Sequence, residues 1–202
     1  TCTKTGTAMR GQYTNLGTVT AQPVDPNTNQ PVGPQVNDND PSNYSGVFIN
    51  VEKRANKDTV CAGETVEYTL ITRMLGGAPG LQFRDIYVVD NNRTDTLRRN
   101  SPEFFGGDLN NNGYLDYIDN NNDLKSDEEF VWKYDLTVNN TLTNIANDFA
   151  EVWLVQPSGD MLIGMVGNTD TVVVVVDNAK CGTIGDLVFE DDDADGIQDP
   201  GE

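Results

Sequence analysis

An all-β fold is predicted by two observations. Strand-length apolar segments follow one another with Gly, Pro, Asn and Asp turn signals between them, and no segment carries a convincing amphipathic helical pattern. Val47 to Arg54 alternates as a first strand. Thr65 to Met74 sets Val66, Tyr68, Leu70 and Thr72 on one face, because successive strand side chains point to opposite sides. A Gly-Gly-Ala-Pro-Gly turn at residues 76 to 80 leads into Leu81 to Val89, and after an acidic insertion come Phe130 to Val138, Ala146 to Val155 and Asp170 to Val176. Some six or seven short strands in about 130 residues suggest an immunoglobulin-like β-sandwich. Its core candidates are Tyr68, Trp132, Tyr134, Phe149 and Trp153. An exposed aromatic strip for sugar stacking is the alternative, although strand aromatics are more often buried. The longest apolar run, Val172 to Val176, is far too short to cross a bilayer and reads as a buried strand.

Two stretches carry the spacing of a calcium loop. A hard cation takes six to eight oxygens, and a twelve-residue loop supplies them from alternate positions around a glycine turn. Asp191, Asp193 and Asp195 stand at positions 1, 3 and 5, Gly196 at the turn, Ile197 offers its carbonyl, Asp199 takes position 9, and Glu202 closes the loop. In the middle of the chain Asp108, Asn110, Asn112, Gly113, Tyr114, Asp116 and Asp119 fit positions 1, 3, 5, 6, 7, 9 and 12, with apolar Leu115 at position 8. Here two ligands are neutral amides and the last is the shorter Asp, which lowers the expected affinity. The tract continues as Asp119, Asn121, Asp123, Asp127, Glu128 and Glu129, which lacks the glycine but is placed to complete an adjoining site. Acidic or Asn-rich surface turns are the alternative for all of these.

Composition agrees with a calcium-binding extracellular chain. Of 32 acidic residues against 13 basic, for a net charge of −19, 15 lie in residues 108 to 129 and 186 to 202, so the charge is local, as ion loops would make it. Such a surface is a poor partner for nucleic acid or anionic membrane. Histidine is absent, which removes the commonest general base, and no nucleophile has a partnering base at recognisable spacing, so no enzyme is expected. Three cysteines and abundant Asn and Thr suit an oxidising setting with millimolar calcium. Sequons at Asn43, Asn92 and Asn139 are compatible with glycosylation. No signal peptide opens the chain at Thr1, so a processed, trimmed or internal stretch of a longer product is expected.

Both ends read as partial modules. Tyr13-Thr14-Asn15-Leu16 leads to a stop at Gln22-Pro23, as Leu142-Thr143-Asn144-Ile145 leads to one at Gln156-Pro157. Residues 1 to 46 are therefore expected to be the last strands of a sister module, residues 47 to 179 the sandwich with an insertion at 91 to 128, and residues 180 to 202 a strand at Ile184 to Phe189 with its calcium loop. Tyr13, Leu16 and Val19 at one end and Ile184, Val188 and Phe189 at the other need partners.

Gly185-Asp186-Leu187-Val188-Phe189-Glu190-Asp191 with Gly196-Ile197-Gln198-Asp199-Pro200-Gly201-Glu202 resembles the opening of the Sdr-type B repeats of bacterial surface adhesins. Ala55 to Leu70, reading ANKDTVCAGETVEYTL, is similar to the first strands of the Ig-like repeat of long bacterial cell-surface proteins. Thr1 to Ala8, Gly11 to Thr20 and Asp38 to Tyr44 resemble the end of such a repeat, and the acidic insertion departs from it. The resemblance implies a calcium-stiffened stalk, adhesin or filament at a bacterial surface, with no catalytic residues to carry over. In a seven-stranded sandwich the turn after the first strand and the end of the last strand lie at one pole, which pairs Cys61 with Cys181. Cys2 is then left over, free or joined to a neighbour. Two roles follow: a calcium-rigidified unit that joins copies of itself head to tail or adjoins further repeats, or a calcium-dependent adhesin or carbohydrate-binding module with glycan partners.

Overall fold

The computed structural model of the chain describes residues 5 to 182. The loop at Asp191, Asp193, Asp195, Ile197, Asp199 and Glu202, the strand expected at Ile184 to Phe189, and Cys2 lie outside the described residues. Among the described residues eleven strands run in chain order: β1 (Gly11–Ala21), β2 (Val36–Ala55), β3 (Thr59–Val60), β4 (Glu64–Gly76), β5 (Leu81–Asp90), β6 (Leu97–Arg98), β7 (Phe104–Gly106), β8 (Leu115–Asp116), β9 (Lys125–Val138), β10 (Leu142–Leu154) and β11 (Met161–Val176). One sheet has the order β1-β2-β4-β9-β7 and the other β3-β11-β10-β5-β6, with β8 also on β5. Neighbours are antiparallel except β3 beside β11. The fold is the expected immunoglobulin-like sandwich.

The core lies between the sheets. Val66, Tyr68, Leu70 and Thr72 of β4 are all fully buried, the face that the alternation of this strand singles out. Trp132 is also fully buried, and its indole N–H donates to the Arg98 carbonyl, which satisfies the ring's single donor. Phe104 and Phe130 meet Trp132 edge to face.

Two expectations about burial are corrected. Phe149 and Trp153 are only half-buried, on the outer face of β10, because the inner face takes Asn144, Ala146, Asp148, Ala150 and Val152. Phe149 stacks on Tyr87, and Arg84 lies over the Trp153 ring. The run Val172 to Val176 is likewise half-buried: Val174 faces the core while Val173 and Val175 are exposed, since β11 covers the core with one face only. That strand also begins at Met161, well before the start expected at Asp170, where Gly164 and Gly167 break the pattern.

The boundary expected after residue 46 falls inside a strand. β2 is continuous over 20 residues. Its second half lies on β4, and its first half pairs with β1 from Gly11↔Gly46 to Ala21↔Val36 as a hairpin arm that leaves Tyr13, Leu16, Val19 and Val36 exposed. Backbones cross closely at the arm's root. A Cβ on Gly76, whose φ is +70°, would stand 2.3 Å from the Gly46 carbonyl oxygen and 2.6 Å from the Gly11 nitrogen, so glycine is required there.

Cys61 and Cys181 form the expected disulfide, with Cα atoms 5.8 Å apart.

Asp148 is a buried carboxyl that has no cation partner among the described residues. Burial raises its pKa to about 7, against the opposing hydrogen bonds from the Thr72 hydroxyl and the Asn168 N–H. A folded pKa above the unfolded value means that the native state binds more protons between about pH 4 and 7, so stability falls as pH rises through that window. Asp148→Asn is expected to flatten this dependence, so that the variant gains on the parent by roughly 2 to 4 kcal/mol between pH 4 and 8. Thermal denaturation of both proteins across that range checks it, and parallel curves would refute it.

Candidate metal centre

The acidic insertion is two loops of one design, laid end to end. In the first, the Asp108 carboxylate accepts from the Asn112 N–H at 3.1 Å and the Gly113 N–H at 2.9 Å, Asn110 accepts from the Asn112 N–H, and Asn112 from the Tyr114 N–H. In the second, Asp119 accepts from the Asp123 N–H at 3.2 Å and the Leu124 N–H at 3.1 Å, Asn121 accepts from the Asp123 N–H, and Asp123 from the Lys125 N–H. Asn111 (φ 56°) and Asn122 (φ 59°) take the same left-handed place, as do Gly113 (φ 87°) and Leu124 (φ 62°). The second loop thus does without the glycine by forcing a leucine into a conformation that L side chains resist. What Leu124 supplies in return is contact. Its side chain lies 3.3 Å from the Cβ position of Gly11, and its carbonyl accepts from the Gly76 N–H at 2.7 Å, both at the arm's root.

Strands hold the loops in place. Leu115, fully buried, anchors the first loop in the core, and β8 pairs Leu115 with Phe83 and Asp116 with Gln82. Tyr114 covers the Arg84 guanidinium, 4.6 Å from its ring centre. Glu128 on β9 is fully buried beneath the first loop, and its two carboxylate oxygens accept from the Leu109 N–H at 2.8 Å and the Asp116 N–H at 2.6 Å. Burial raises the Glu128 pKa, with the Asp116 and Asp108 charges adding to it and the two N–H groups opposing.

The sequence-predicted ligands are therefore brought together in two groups. Asp108, Asn110, Asn112, Tyr114 and Asp116 form the first, where Asp116 receives the amides of both Asn110 and Asn112 at 2.7 Å. Asp119, expected both at the end of the first loop and at the start of the adjoining tract, has its carboxylate in the second loop, where it accepts from that loop and from the Tyr117 hydroxyl, and Glu128 is an acid that reaches the first loop. Asp123 and Asp127 belong to the second group, where Asp127 accepts from the Asn120 N–H. Arg99 was not singled out by the sequence, yet it donates to Asp108 at 2.6 Å and partly neutralises it. Among the described residues no three His, Cys, Asp or Glu side chains stand together as a metal cluster, so any ion here would depend on Asn and main-chain oxygens. The donor set is all oxygen, which suits calcium and not a soft transition metal.

No protein-family model matches the chain, and no curated protein matches it. Among solved structures, the solution NMR structure of a CARDB domain from Pyrococcus furiosus is similar over 65% of this chain and 97% of its own, at 16% identity and a TM-score of 0.31.

Proposed function

We propose that the chain is a calcium-stabilised structural unit of an extracellular filament or stalk at a bacterial surface, with no enzymatic turnover. The observation that supports this reading best is the tandem loop pair, seated on the sandwich at Leu115 and Glu128 and touching the root of the arm at Leu124. Calcium bound there would neutralise the carboxylates of the two loops and stiffen the junction between sandwich and arm. Asp108, Asn110, Asn112, the Tyr114 carbonyl and Asp116 are the proposed donors of one site, Asp119, Asn121, Asp123 and Asp127 of the next, and the loop at 191 to 202 of a third.

The arm is the proposed assembly element. A two-stranded hairpin is marginal by itself, and its open edges are templates for strand addition. Head-to-tail contact between unlike ends of identical chains propagates into a filament unless its rotation closes a ring. Adjacent repeats of a longer chain would satisfy the same edges. The second reading, a calcium-dependent adhesin or carbohydrate-binding module, is favoured by the stacked pair Tyr13 and Tyr44 on the exposed arm, whose ring centres are 5.0 Å apart. No helix among the described residues is long and apolar enough to cross a membrane.

Electron microscopy and sedimentation of the purified protein in millimolar calcium separate the readings. Regular fibres that vanish when β1 is deleted are expected. Discrete monomers at high concentration, together with hits on a glycan array, would favour the second reading.

A further inference from the structure

Among the described residues Lys53 is the cation buried in the sandwich core, and its position is unusual for a charge held only for stability. Its side chain is wholly enclosed, and its Nζ donates to Asp90, to the Asn144 Oδ1 at 2.7 Å and to the Tyr134 hydroxyl at 3.2 Å. The four groups come from β2, β5, β9 and β10, so both sheets contribute. Asp90 also receives the Tyr134 hydroxyl proton donor at 2.5 Å, and the Asn144 amide nitrogen donates to the Tyr134 oxygen at 3.0 Å. The Tyr68 and Tyr134 rings stand 5.4 and 5.8 Å from Nζ and wall the site from solvent.

We propose that Lys53 and Asn144 join in an intramolecular amide bond, formed by the folded protein itself with Asp90 as the proton-transferring group. The geometry supplies each requirement. An amine attacks a carbonyl only when neutral, and a desolvated lysine beside a carboxylate can give up its proton locally. Burial lowers the Lys53 pKa against the opposing attraction of Asp90. Nζ already touches the Asn144 carbonyl oxygen, so its carbon lies one bond further on, and the fixed pair replaces a bimolecular encounter. Burial also excludes water, the competing nucleophile.

The step balances without any co-reactant. Nζ passes one proton to Asp90, and its lone pair forms a bond to Cγ of Asn144 while the carbonyl π pair moves to Oδ1. As the carbonyl re-forms, the Cγ–Nδ2 bond breaks with its electron pair on Nδ2. Protons from Nζ and from Asp90 accompany Nδ2, which leaves as ammonium, and Asp90 is again a carboxylate. The Tyr134 hydroxyl, hydrogen-bonded to both Asp90 and Nδ2, is a positioning group for the leaving amide. The reaction occurs once per molecule and ties β2, where the arm enters the sandwich, to β10 in the opposite sheet.

Intact-mass measurement of the reduced, folded protein tests this. The chain is expected to be lighter than its sequence by about 17 Da, one ammonia, and tandem spectra of a digest should contain a peptide pair joined at Lys53 and Asn144. Lys53→Met and Asn144→Ala should each restore the full sequence mass. Full mass in the parent protein, or a loss of ammonia that maps to another asparagine, would overturn the proposal. Because the parent's own mass decides it, the test stands even if a variant fails to fold.

Discussion

Replacing Cys61 and Cys181 by serine is expected to lower the stability of this protein by about 4 kcal/mol, one of the largest effects of any change outside the core. The bridge spans a sequence separation of 120 residues. In the chain-entropy picture a closed loop of that length removes about 4 to 5 kcal/mol of conformational freedom from the unfolded state. Position adds a mechanical consequence. Cys61 follows the short strand β3, after β2 has crossed the sandwich from Val47 to Ala55, and Cys181 follows β11, so the bridge closes a loop that holds β4 to β11. Tension arriving along the arm would pass through β2 and β3, cross the bridge and bypass the residues between Cys61 and Cys181. Chemical denaturation of the oxidised protein against the serine double variant checks the energy, and coincident midpoints would refute it.

A double substitution of Asp108 and Asp119 by alanine is expected to remove most of the stabilisation that calcium gives. These two aspartates open the two loops, and each holds two backbone N–H groups of its own turn. Extracellular calcium modules bind at about 10⁻⁴ to 10⁻³ M, so a concentration a hundredfold above the dissociation constant adds about 2.7 kcal/mol per site. The parent should therefore lose several kcal/mol on chelation and the variant much less. Part of the cost of the substitution is independent of calcium, because the loop hydrogen bonds are lost with or without an ion. The difference between the calcium and chelator measurements isolates the part that is not.

Much of the sandwich is legible in the sequence because its strands obey the two-residue period. From Val66 to Thr72 the inward residues of β4 are all fully buried, and Ile71 is the one residue of the other face that is buried as well. β10 misleads because its inner face carries Asn144 and Asp148 while its aromatics Phe149 and Trp153 point outward, so hydrophobicity alone inverts the reading of those two rings. The polar inner residues are there for partners in other strands: Asn144 for Lys53, and Asp148 for Thr72. Such partners lie 91 and 76 residues away, and no local pattern announces them. The first acidic loop is legible from its spacing. Its twin is half hidden, because Leu124 occupies the place of the glycine and only the tertiary contact with Gly11 explains the choice. Glu128 as the acid beneath the first loop is placed by the register of β9, and Arg99 as the counter-charge of Asp108 by a tertiary contact between loops.

The direct test of calcium as the organising ligand is a pair of melting curves, one in about 10 mM calcium and one in excess chelator, recorded on the parent protein and on the Asp108→Ala, Asp119→Ala double variant. A calcium-stabilised module requires a clearly higher Tm with calcium in the parent and a much smaller shift in the variant. Superimposable curves for the parent in calcium and chelator would contradict it.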